Sequence, residues 1–267
     1  MGISSRTAAV AALFDRIADQ YDNVGFPFFG PIARHLVDAL RPLPGEAAAD
    51  LGCGRGEVTS LLADAVTPGG SVTALDISPA MVRLAREALT GTVARVEVGD
   101  ASTPALPPGS FDVLASSLVL FFLPDPPGAL GRWVGLLRPG GRIGVTTFGA
   151  QSDLWQRLDG LLRPWMPPQD PRTAGPDSPF ASDAGMEATL AAAGARDVVT
   201  QTFRVQVRFR RVEDWVRFTR SVGQRAAWDS MPEEEVEGVT SSAAHLLGVE
   251  RSEDAVWQDV RLTLGRR

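Results

Sequence analysis

Three acids and a run of glycines carry the chemistry that can be read in this chain. Asp50 closes the small, apolar stretch 47–51; Gly52, Cys53, Gly54 and Gly56 follow, with glycine at every second position, before a helical pattern in Val58, Leu61 and Leu62. Glycine opens backbone conformations closed to other residues and leaves no Cβ between main chain and ligand. The N–H groups that open the next helix then face whatever lies over the turn. Asp76 closes a second apolar stretch, 71–75, twenty residues after Gly56. An acid there can accept hydrogen bonds from both hydroxyls of a ribose. A third stretch, 93–98, ends in Gly99-Asp100-Ala101. This is the layout of a nucleotide-type site at the carboxyl edge of a parallel sheet. It departs from the dinucleotide fingerprint, because Glu57 stands where that pattern has its third glycine and would lie close to a pyrophosphate.

The form D-x-G-x-G-x-G, Asp50 to Gly56, resembles motif I of the class I S-adenosyl-L-methionine (SAM) dependent methyltransferases. Phe111 to Ser117 is similar to that family's fourth strand, and Leu137-Arg138-Pro139-Gly140-Gly141-Arg142 to the turn before its fifth. The resemblance implies SAM as cofactor and S-adenosyl-L-homocysteine as product, a ligand without phosphate whose ammonium favours carboxylates and carbonyls. It implies Asp50, Gly52, Cys53, Gly54 and Gly56 around the cofactor, and Asp76, Ile77 and Met81 on its ribose side. Asp100 and Ala101 would read the adenine amino edge, and Ser116 and Ser117 would face the methionine end. The phrase Phe14-Asp15-Arg16-Ile17-Ala18-Asp19-Gln20-Tyr21-Asp22 resembles the entry segment of the ubiquinone/menaquinone-biosynthesis-type branch, a branch of small-molecule and natural-product methyltransferases. There the helix is a lid over the cofactor and the tyrosine reaches the reaction centre. Tyr21, the only tyrosine, is therefore expected in both cofactor-binding and catalytic roles.

The elements that must position these residues follow from the pattern. Strands alternate with helices over 47–148, which implies a parallel sheet covered on both faces. With the resemblance, the expected fold is α/β and Rossmann-like: a seven-stranded, mostly parallel sheet with an antiparallel last strand, a helical lid and a cap. The lid spans 1–46, the SAM-binding core 47–148, and the rest of the sheet 149–267. Substrate-covering insertions are expected at 149–181, which is proline-rich, and at 211–249. Apolar residues 118–123 are expected to extend the fourth strand, and 255–264 to form the last one.

Positioning a nucleophile in line with the methyl can supply roughly 7–11 kcal/mol of the barrier. A nitrogen or an activated carbon needs little more, whereas a phenol or alcohol gains roughly 10²–10⁴-fold from a positioned base. His35 and His245 are the only histidines. His245 in the cap is the catalytic candidate beside Tyr21, with Asp22 or Asp125 as other acids; His35 falls beside apolar helix positions. Many relatives carry histidine where Phe121 and Phe122 stand, so the pocket floor is expected to be apolar. Phe26, Phe29, Phe122, Trp155, Trp215 and Arg225 are the substrate candidates; the aromatic residues equally suit packing. Such a lining suits an apolar aromatic or isoprenoid-like molecule with a polar or anionic handle. The leading expectation is methyl transfer to carbon, nitrogen or oxygen of a small metabolite in secondary metabolism. The alternatives are a SAM-binding relative that catalyses a cyclisation or rearrangement, and a non-catalytic SAM-binding protein.

The chain has 267 residues, 44% hydrophobic and 22% charged, with a net charge of −6. That balance argues against nucleic acid and anionic membranes as partners. All 26 basic residues are arginine, which rules out lysine Schiff-base chemistry. Cys53 is the single cysteine, so no intramolecular disulfide forms, in keeping with a reducing cytoplasm. No apolar run reaches the ~20 residues of a membrane span, and no signal-peptide pattern opens the chain. No His/Cys cluster has metal-ligand spacing. The expected partner is a small-molecule substrate, and a homodimer is compatible with this reading.

Overall fold

The computed structural model describes residues 5–21, 25, 28–168, 173, 175, 178–249 and 256–267. Five stretches form the parallel part of one sheet: β1 Ala47–Leu51, β2 Ser71–Asp76, β3 Ala94–Val98, β4 Phe111–Ser117 and β5 Leu137–Gln151. Two later strands, β6 Arg196–Gln206 and β7 Trp257–Arg266, complete it. The order is β3-β2-β1-β4-β5-β7-β6, and β7 runs antiparallel to both of its neighbours. This is the mostly parallel, seven-stranded arrangement expected.

Helices cover both faces: α1 Ser5–Ile17, α2 Phe29–Leu40, α3 Glu57–Val66, α4 Pro79–Ala88, α5 Pro126–Leu136, α6 Asp153–Leu162, α7 Asp183–Ala192, α8 Val212–Arg220, α9 Arg225–Ser230 and α10 Glu233–Val249. The central strands read as unbroken apolar runs because both of their faces are buried. Ala48, Val113 and Ala115 pack on Leu36, Leu40 and Leu62 of α2 and α3. Their neighbours Ala49, Leu51 and Leu114 pack on Leu130, Trp133 and Met186 of α5 and α7. From β1 the chain runs outward through β2 and β3, then returns to place β4 on β1's other side. Ligands of open α/β sheets bind where the order reverses in this way, at the carboxyl ends of the strands.

Two expectations are corrected. Residues 118–123 do not continue β4: Leu118 has φ 58° and Leu120–Phe122 is a 3₁₀ turn. The Leu118 N–H donates to the Thr146 carbonyl at 3.1 Å, which ends the strand and folds its apolar continuation over the sheet edge. The last strand covers 257–266 rather than 255–264, and residue 255 lies outside the described residues. Helices α6, α8, α9 and α10 build the cap around Trp155, Phe218 and Trp228, packed on Val205, Val207 and Val260 of the sheet region. Helix α1 and the turn that follows it rest on α4 through Ile17, Ala18 and Met81. Among the described residues, no helix is long and apolar enough to cross a membrane.

Candidate functional site

Asp50 is the penultimate residue of β1 and is 1% exposed. Its Oδ2 accepts a hydrogen bond from Thr59 Oγ1 at 2.6 Å, while its Oδ1 is buried with no hydrogen-bond partner among the described residues. Burial, with the nearby Asp76 charge adding to it, raises the Asp50 carboxyl to about 7. Asp76 ends β2 and accepts the N–H of Gly54 at 2.8 Å and of Ser78 at 2.9 Å, one on each oxygen. Burial raises its carboxyl too, against those two hydrogen bonds. The N–H groups of Gly52 and Cys53 both donate to the Leu75 carbonyl. Three amides of the glycine turn are thus consumed within the protein, so the turn is no phosphate cradle.

The glycines divide the work of the turn. Gly52 has φ 81°, and a Cβ there would lie 2.3 Å from Val119 Cγ2. Gly54 has φ 52° and faces open space, with nothing within 4 Å of a Cβ. Asp100 caps its own turn, accepting from Ser102 N–H at 2.7 Å. The Trp133 indole donates to the Ala101 carbonyl at 2.7 Å and fixes that residue from below.

Two adjoining cavities open on these groups. The first, of about 670 Å³, is lined by Gly52, Gly54, Asp76, Ile77, Met81, Asp100, Ala101, Ser117 and Phe122, with Thr7, Val10 and Phe14 of α1 across from them. The second, of about 940 Å³, is lined by Asp50, Cys53, Arg55 and Phe29. Tyr21, Gly52, Gly54 and Ser117 line both. Tyr21 stacks on Phe29 at 4.8 Å and meets Phe14 edge-on at 5.9 Å, and Phe14 meets Phe122 at 5.2 Å. The Tyr21 carbonyl accepts from Arg55 Nη1 at 2.8 Å. Burial pushes the Cys53 thiol up, so it remains a small packed group.

These donors and acceptors fit SAM. Three carboxylates at strand ends suit a ribose, an adenine amino group and an ammonium, and the partnerless Asp50 Oδ1 is an acceptor held ready for a cation. A family model described as a methyltransferase domain matches residues 49–145. Over 233 residues the chain is 38% identical to nocamycin O-methyltransferase of Saccharothrix syringae, covering 81% of this chain and 83% of that protein. The chain belongs to the class I SAM-dependent methyltransferases. This methyltransferase is also 41% identical over 167 residues to aklanonic acid methyltransferase DauC of Streptomyces sp. strain C5, covering 61% of this chain and 76% of the relative. Its fold matches phosphoethanolamine N-methyltransferase 2 of Haemonchus contortus, solved with SAM, at TM-score 0.62 and 17% identity; it covers 100% of this chain and 60% of that one. The fold matches the [4+2]-cyclase SpnF as well, at TM-score 0.52 and 18% identity over 89% of this chain and 80% of that one. Fold alone therefore does not separate methyl transfer from rearrangement, and the relatives by sequence do.

Several residues expected at the site of this methyltransferase lie elsewhere. Ser116 is 1% exposed and donates to the Leu51 carbonyl at 2.7 Å, because strand alternation turns it inward and Ser117 outward. Gly56 has φ 97° and lies under Leu89, where a Cβ would be 3.0 Å from Leu89 Cδ1; it lets the turn pack on α4. Trp155 and Trp215 are buried in the cap core, Trp155 against Phe218 at 6.0 Å and Trp215 against Trp228 at 5.6 Å. Arg225 pairs with Asp229 at 2.6 Å. His245 is exposed on α10 and lines neither cavity. His35 is exposed and stacks on Phe203 at 4.2 Å. Asp125 caps α5 through the Gly128 N–H at 3.1 Å. Phe26 and Asp22 lie outside the described residues. Thr7 and Val10, which form the α1 wall with Phe14, were not among the expected site residues, although Val10 and Phe14 share the apolar spacing of the lid helix. Nor was Arg55.

Proposed function

We propose that this methyltransferase acts on an oxygen of a small, largely apolar metabolite, and that the oxygen belongs to a carboxylate. One observation carries the reading: no histidine lines either cavity. Of the carboxylates there, Asp50 accepts from Thr59 through one oxygen, Asp76 accepts from two amides and Asp100 from Ser102, while Glu57 is exposed at the start of α3. An alcohol or phenol would forgo the roughly 10²–10⁴-fold gain of a positioned base. A carboxylic acid, with a pKa of about 4, is ionised at neutral pH and needs none. The names of the relatives agree: nocamycin O-methyltransferase, aklanonic acid methyltransferase, and a malonyl-[acyl-carrier protein] O-methyltransferase of Serratia marcescens that is 34% identical over 157 residues, covering 57% of this chain and 59% of its own length. We read the setting as biosynthesis of secondary metabolites. Work in the cytoplasm is supported by the single, unbridged cysteine. Nucleic acid is opposed by the net charge of −6.

When bound, SAM supplies an electrophilic methyl group on its sulfonium. In this reading Asp76 accepts from the ribose hydroxyls, Asp100 and Ala101 read the adenine edge, and Asp50 receives the ammonium. Gly54 leaves the floor clear, and Ser117 borders the methionine end. Phe14, Tyr21, Phe29 and Phe122 exclude water from the acceptor and orient its apolar body. Incubation with methyl-labelled SAM and paired aromatic acids and alcohols tests the proposal. Label should enter the acids as base-labile methyl esters, with kcat/KM for the acceptor, measured at saturating SAM, flat from about pH 6 to 9. Label entering only phenols or alcohols, with a rate limb in that range, would overturn it.

A further inference from the structure

We propose that Asp15 is a positioning residue that latches α1 over the first cavity and ties it, through Ser78, to Asp76. The inference rests on the reading that this cavity takes SAM. Thr7, Val10 and Phe14 make the α1 wall of the cavity, opposite Asp76 and Asp100. A ligand enclosed between these walls leaves when α1 lifts, so whatever fastens α1 sets that rate.

The fastening is specific. Asp15 Oδ1 accepts two hydrogen bonds, from Ser78 Oγ at 2.5 Å and from the Ala80 N–H at 3.0 Å. The Ala80 amide belongs to the first turn of α4, where no intrahelical acceptor exists. Ser78 is fully buried and makes two further bonds: its Oγ accepts from the Met81 N–H at 3.1 Å, and its own N–H donates to Asp76 Oδ1 at 2.9 Å. A continuous path of hydrogen bonds therefore joins α1 to the ligand-facing carboxylate. Helix capping alone does not account for it, since Ser78 already caps α4 and Asp15 arrives from 63 residues away. The ion pairs Arg83–Asp19 at 3.4 Å and Arg16–Asp229 at 3.5 Å also hold this segment, but they are largely exposed and weak.

The test measures S-adenosyl-L-homocysteine dissociation by stopped flow, the SAM Kd, and amide exchange of α1 in the ligand-free protein. Asp15→Ala should speed dissociation and weaken SAM by roughly tenfold, with faster exchange in α1. Asp15→Asn keeps an oxygen that can accept both bonds and should stay within about threefold of the parent. Asp15→Lys, solvated at this exposed position and unable to accept, should behave as alanine does and carries the test if the alanine variant folds poorly. Parent-like dissociation and exchange in the alanine and lysine variants, or an asparagine variant as impaired as alanine, would overturn the latch. If the parent itself bound no SAM, the site reading would fall, and α1 exchange would still decide the latch by itself.

Discussion

At the scale of single residues, the environment of Asp50 works against its own charge. Burial raises its carboxyl to about 7 in the folded chain, against about 3.9 when unfolded. Between those values the native state keeps a proton that the unfolded chain has released. This group therefore makes the ligand-free protein less stable as pH rises from about 4 to 7. A cationic ligand reverses the preference, because an ammonium beside Oδ1 favours the ionised acid. SAM affinity should accordingly rise from pH 6 to about 7.5, then fall as the ligand's own amine loses its proton above about pH 7.7–8.0. Asp50→Asn should remove that rise and weaken SAM at least tenfold, by the loss of a charge-assisted bond of about 1.5–3 kcal/mol. Its ligand-free Tm at pH 8 should equal or exceed the parent's, since no buried charge remains. Calorimetric titration across pH checks this, and a pH-independent parent Kd would remove Asp50 from the ammonium.

At the scale of elements, the glycine turn between β1 and α3 holds two positions that look alike in sequence and differ in space. Gly52→Ala forces a methyl to within 2.3 Å of Val119 at φ 81°. Left-handed strain and overpacking each cost about 1–3 kcal/mol, so denaturant unfolding should show a loss of roughly 2–6 kcal/mol. Gly54→Ala meets no atom within 4 Å, so its stability cost is limited to the backbone strain, about 1 kcal/mol. Its methyl instead enters both cavities, and SAM affinity should fall at least tenfold; unchanged affinity would place the ligand on another face of the turn. The sequence made β1, β2 and β3 legible, with the acids at their ends, because an apolar run stopped by Asp and Gly marks a strand edge locally. The inward phase of Ser116 was not legible, since a run buried on both faces hides its alternation. Nor was the core role of Trp155 and Trp215, because an aromatic side chain serves packing and substrate equally well. The α1 wall and the Asp15–Ser78 bond depend on where one helix crosses another more than sixty residues away, which no local pattern encodes.

At the scale of the whole molecule, the cap is not a separable lobe, although residues 211–249 read as an insertion. Its Trp215, Phe218 and Trp228 share one apolar cluster with Phe28 and Ile32 at the start of α2, Leu118 after β4, and Val205 and Val260 of the sheet. Removing the cap would bare that set together, a contiguous patch of the kind soluble monomers rarely show. Lid, sheet and cap should therefore unfold as one unit despite the chain's length. Three of the six tryptophans, Trp155, Trp215 and Trp228, lie in the cap cluster and report it when the other three are replaced by phenylalanine, while far-UV circular dichroism reports the helices and sheet as a whole. Their urea midpoints should coincide. S-adenosyl-L-homocysteine at a hundred times its Kd should shift both by the same increment, about 2.7 kcal/mol. A fluorescence transition at lower urea than the dichroism change, unmoved by ligand, would show the cap melting on its own. The cavity would then be closed by contacts within the sheet and α1 rather than by a core common to the whole chain.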